Sequence, residues 1–102
     1  MENPFMITFD FPLVDSDRKI PVKAIVKLHH SEPASFYKVH SFHVIAAKPV
    51  IAGMPPYSFL PDQEIRSLDE DDGILWVHND SERPTLLSMA IGKAIEEHLA
   101  KQ

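Results

Sequence analysis

Phe5, Ile7, Phe9 and Phe11 occupy one parity of the chain, and Met6, Thr8 and Asp10 the other. Such alternation puts apolar side chains on one side of an extended backbone and predicts a half-buried strand over residues 5–11. Pro12 and the polar run Asp15-Ser16-Asp17-Arg18-Lys19 end it. The alternation then resumes over residues 20–30, with Ile20, Val22, Ala24, Val26 and Leu28 set against Lys23, Lys27 and His29. Two such runs joined by a short polar loop predict an antiparallel hairpin.

After the turn Ser31-Glu32-Pro33-Ala34-Ser35, residues 36–47 predict a third strand from their aromatic and β-branched content. Here the phase slips: Tyr37 and Val39 share one parity, Phe42 and Val44 the other. One extra residue near Ser41, a β-bulge, restores a continuous apolar face and gathers Lys38, His40 and His43 on the outer one. Without the bulge, His40 and His43 point to opposite faces.

Lys48 to Pro61 contains Pro49, Pro55, Pro56 and Pro61 and makes no regular central strand, because proline lacks the backbone donor. Its apolar content, including Met54, Tyr57, Phe59 and Leu60, fits a loop packed onto the fold or covering a partner surface. Residues 64–68 and 74–78 read as two more strands around Asp69-Glu70-Asp71-Asp72-Gly73, a hairpin signal. Trp76 is the expected core anchor. Asp80 or Ser81 is the expected cap of a final helix with Pro84 in its first turn. Leu87, Ala90, Ile91, Ala94, Ile95 and His98 form its apolar stripe. The fold expectation is a single α+β domain over residues 1–102. It has a mainly antiparallel sheet of four to five strands, with one C-terminal helix packed on one face.

The 102 residues at 44% hydrophobic content suit one core and no second. Absence of cysteine excludes disulfides and thiolate zinc sites. No basic region precedes an apolar run at Met1-Glu2-Asn3-Pro4, and the run Val44–Ala47 stops at Lys48. The expectation is a soluble cytoplasmic protein without a membrane span. The net charge of −5 opposes attraction of the whole molecule to nucleic acid. Charge is also segregated. Arg18, Lys19, Lys23, Lys27, Lys38 and Lys48 face only Glu32 between residues 18 and 48; between 62 and 82 eight carboxylates face only Arg66. Opposed segments of this kind usually attract one another within a fold or lie solvated.

Four of the six histidines (His29, His30, His40 and His43) fall within residues 23–43. His40 and His43, joined by His30 from the hairpin turn, are the candidate metal ligands, since a mononuclear site needs at least three converging donors. The same stretch with Lys23, Lys27 and Lys38 suits an anionic partner, and Tyr37, Phe36 and Phe42 would stack bases if they lay on an open face. Asp69–Gly73 fails as a calcium loop, because the position needing a bidentate carboxylate is Asn79. His98, in the helix stripe, is either an acid–base group beside a carboxylate such as Glu64 or a helix-end histidine. There is no Gly-x-Ser-x-Gly elbow, and three glycines in all leave no phosphate-cradling loop. No cofactor is implied.

The favoured functional expectation is a non-enzymatic interaction module that engages an unidentified protein partner or a second copy of itself. Its expected surface comprises Lys23, Lys27, Lys38, Tyr57 and Phe59. A homodimer is the natural form if one helix leaves part of a five-stranded sheet uncovered. The alternatives are a small metal-assisted enzyme and an anion- or nucleic-acid-binding hairpin.

Overall fold

A computed structural model describes residues 3–12, 20–32, 34–45 and 60–101. Its elements run β1 (Phe5–Asp10), β2 (Pro21–His29), β3 (Phe36–Val44), β4 (Gln63–Glu70), β5 (Gly73–His78) and α1 (Leu86–Ala100). The strands form one antiparallel sheet in the order β1-β2-β3-β4-β5, and α1 packs on it. This is the α+β arrangement that the hydrophobic periodicity implies.

Register follows apolar parity. Ile7 stands opposite Ala24, Val26 opposite Val39, and Tyr37 opposite Ile65. These residues share the inner face with Val22, Phe42 and Trp76 and form one core with Ile91, Ala94 and Ile95 of the helix. Val22, Val26, Val39, Phe42, Ile65, Ile91 and Ile95 are wholly buried. Each such side chain contributes about 1.5–3 kcal/mol through its removal from water.

The sheet curls. Four inter-strand spacings of about 4.8 Å would hold β1 and β5 about 19 Å apart in a flat sheet, against a helix about 10–12 Å wide. Yet α1 packs against β1, β4 and β5, so both sheet edges reach it. Curling explains how a single helix covers the centre of the sheet: Val22, Ala24, Val26, Val39 and Phe42 are buried within one chain, and Leu28, Tyr37 and Val44 at the strand ends are half-buried.

Strand and helix ends differ from expectation in instructive places. β3 stops at Val44, where the Ile45 N–H donates to the Pro21 carbonyl at 2.8 Å. Residues 46–59 lie outside the described residues, and with them Tyr57, Phe59 and most of the proline-rich loop. β4 and β5 extend to a tight hairpin closed by the Glu70–Gly73 pair. Gly73 has φ +130°, a conformation that side chains rarely adopt.

The helix cap is Thr85, in place of Asp80 or Ser81. Those two are spent on the preceding turn, in which the Ser81 N–H donates to Asp80 Oδ1 at 2.7 Å and the Glu82 N–H to the His78 carbonyl at 2.8 Å. Pro84 thus falls just before the cap. Thr85 and Ser88 form a reciprocal capping box: the Ser88 N–H donates to Thr85 Oγ1 at 3.0 Å, and the Thr85 N–H to Ser88 Oγ at 2.8 Å. Ser88 is fully buried and its hydroxyl also reaches the Trp76 carbonyl at 2.9 Å, tying the first helical turn to β5. One turn further on, Gly92 lets the Trp76 indole lie directly on the helix backbone.

Candidate interaction face on the outer side of the sheet

The bulge is present. Lys23 pairs with His43 and Ile25 with His40, so Ala24 alone on β2 faces Ser41 and Phe42 together on β3. Ser41 takes φ 58°, the left-handed conformation in which bulges of this kind ordinarily hold glycine. The extra residue returns Phe42 to the core side, where it is wholly buried and meets Phe9 edge-on with ring centroids 6.4 Å apart. It also sets His43 on the same side as His40. Strand pairing places both with their partners Lys23 and Ile25, opposite the buried Val22, Ala24 and Val26. Lys38 lies across from Lys27 on that same outer face.

The outer face of β2 and β3 therefore carries Lys23, Lys27, Lys38, His40 and His43. Met6 extends it on β1 opposite Ile25, with half its surface exposed. Lys27 and Lys38 are direct cross-strand partners, a like-charge pair that costs a sheet stability. On its other side Lys38 stands opposite Glu64 and approaches Asp62 at 3.9 Å, a loose and exposed contact of small value. Among the described residues neither Lys23 nor Lys27 has a carboxylate partner. His40 Nδ1 and Ser41 Oγ are 2.9 Å apart, a hydrogen bond that orients the imidazole along the bulge.

The remaining histidines lie elsewhere. His30 follows the His29–Phe36 pair at the far end of the hairpin, where its Nδ1 is 3.3 Å from Ser35 Oγ. At about 3.3 Å per residue it is about 23 Å along β2 from Lys23, the partner of His43. No three His, Asp or Glu residues converge to hold a metal ion among the described residues. His29 stacks on Phe36, and His78 Nε2 is 2.8 Å from Thr85 Oγ1 at the helix cap. His98 stacks on Phe5 at 4.2 Å between nearly parallel rings. Glu64, the carboxylate considered as its neighbour, instead accepts from Asn79 Nδ2 at 3.3 Å.

Of Phe36, Tyr37 and Phe42, Phe36 alone lies on the outer parity of β3, where it stacks on His29. Phe42 is in the core, and Tyr37 turns inward to Phe5 and Trp76 with ring centroids 6.4 and 5.9 Å away. The acidic hairpin tip, Asp69–Asp72, is exposed and lies beyond the Tyr37–Ile65 pair, at the end of the sheet away from the bulge. Sequence reasoning missed Met6 and Ile25 as parts of the face. Their apolar character on the outer parity of β1 and β2 was the available signal.

No family model, curated protein or solved structure matches the chain. No described helix is long and apolar enough to cross a membrane.

Proposed function

We propose that this protein is a non-enzymatic interaction module whose binding surface is the outer face of β2 and β3, and that its partner is a protein presenting an acidic segment. The observation that carries the reading is the direct Lys27–Lys38 pairing beside the bulge. Opposed lysines weaken a sheet, and a single change to glutamate would turn the cost into a gain. A surface arranged against its own stability is what a binding face requires, because its charges are complementary to something outside the chain. The apolar floor of Met6 and Ile25 supplies desolvated contact between the cations.

Site-specific photo-crosslinking tests this. A photoreactive residue at Met6, exposed at the margin of the face, is expected to give a discrete protein adduct that disappears when Lys38→Glu is added. The same residue at Lys93, on the exposed side of α1, is expected to give none. Equal adducts from both positions, or adducts from Lys93 alone, would contradict the proposal.

A further inference from the structure

The bulge does more than align side chains. Two residues of β3 against one of β2 open the ladder, and at the gap Met6, Lys23, Ala24, Ile25, Ser41 and His43 line a cavity of about 120 Å³ on the outer face. Its lining is mixed. Met6 and Ile25 are apolar, whereas Lys23, Ser41 and His43 carry polar atoms.

Resting on the functional reading above, we infer that this cavity is a recognition pocket for one glutamate-type carboxylate side chain of the partner segment. The cavity holds a few water molecules, which suits the end of a side chain and not a nucleobase. The lining has a single lysine, matching the single charge of a carboxylate better than the double charge of a phosphate monoester. Met6 and Ile25 offer the surface on which a methylene stem packs, which a bare oxyanion would leave unused. Lys23 Nζ is the counter-charge.

Ser41 supplies a directional donor. Its hydroxyl hydrogen has two options, because His40 Nδ1 lies 2.9 Å away and the tautomer sets the roles. When His40 carries its proton on Nδ1, the imidazole donates to Ser41 Oγ and the serine hydrogen turns to the carboxylate. The bond to His40 then orients the hydroxyl and polarises it. The left-handed backbone at Ser41 holds this geometry; such a conformation at a residue other than glycine is costly and is often kept at binding sites.

The test is an amide-resolved NMR titration. The probes are a blocked peptide of alternating alanine and glutamate, its glutamine counterpart, and inorganic phosphate. The glutamate peptide is expected to shift the amides of Met6, Ile25, Ser41 and His43, and the glutamine peptide to leave them in place. Lys23→Gln and Ser41→Gly each remove one contact while leaving the bulge conformation available; charge-assisted hydrogen bonds predict a loss of about tenfold in affinity for each. Lys38→Glu probes the face outside the pocket. If Lys38→Glu weakens the peptide but Lys23→Gln and Ser41→Gly bind as the parent does, the pocket assignment fails and the face survives. If the peptide shifts no amide of β2 or β3, both fall. Phosphate binding more tightly than the glutamate peptide overturns the carboxylate assignment.

Discussion

Replacing Gly92 by alanine sets two effects of known size against each other. In an exposed helix interior the change favours folding by about 1 kcal/mol, through the lower backbone entropy of the unfolded chain. Here a Cβ would fall onto Trp76 Cγ, Cδ1 and Cδ2, well inside contact distance. The indole cannot step aside. Trp76 is 5% exposed, belongs to the core cluster and lies against Tyr37 at 5.9 Å. Overpacking a closed core costs about 1–3 kcal/mol. Ring atoms as the obstruction place this case at the upper end, so Gly92→Ala is expected to destabilise by about 2 kcal/mol net.

For a domain near this size that corresponds to a fall in Tm of about 8–16 °C. Urea titration and thermal melting followed by circular dichroism both read it. The partner experiment isolates the cause. In a Trp76→Leu background the obstruction is gone, and the same substitution should stabilise by about 1 kcal/mol relative to Trp76→Leu alone. An unchanged or raised Tm for Gly92→Ala in the parent chain would refute the close helix–indole contact, and with it the packing of α1 on β5.

Ser88→Ala strips the Thr85 N–H and the Trp76 carbonyl of one partner at a fully buried position, and should cost about 1–3 kcal/mol in urea denaturation. Lys27→Glu should raise stability by about 0.2–1 kcal/mol, by turning the like-charge pair with Lys38 into an attractive one, and should weaken binding of the acidic peptide. Deleting Ser41 leaves Val39, Phe42 and Val44 in phase as an unbulged strand, so the chain should still fold, as amide dispersion would report, while acidic-peptide binding is lost. An unfolded Ser41 deletion would show that the bulge holds the core rather than the outer face.

The strands were legible because alternation is a local signal and each run in β1 and β2 keeps one phase. The bulge was legible for the same reason in reverse: Tyr37 and Val39 could share a face with Phe42 and Val44 only if one residue was extra. The cap was not legible, because Asp80, Ser81 and Thr85 are all good cap residues and only the turn's own hydrogen bonds decide among them. Nor was the curl. It depends on how far a sheet twists before its edges meet one helix, a property of the assembled strands that no single strand carries. The place of His30 was legible in principle, since a turn residue and a residue near the strand's far end cannot converge along a straight hairpin.

Net charge is the wrong measure for the face that the bulge creates. The carboxylates responsible for much of the −5 lie at the β4–β5 tip. From His43 back to Tyr37, and then along β4 from Ile65 to Glu70, the path between bulge and tip is about 30 Å or more at about 3.3 Å per residue. With a screening length of about 8 Å at physiological salt, the tip lowers the potential at Lys23 by only a few per cent of its unscreened effect. What an approaching segment meets is therefore the local set of Lys23, Lys27 and Lys38, with Glu64 and Asp62 at the β4 margin and Asp10 at the end of β1. The margins matter for direction: Asp10 lies two residues beyond Thr8, the partner of Lys23, so the cations are least compensated between that end and β4, around Met6, Ile25 and Lys27, and an acidic segment should lie across Met6 and β2 rather than over β4 or the Asp10 end of β1.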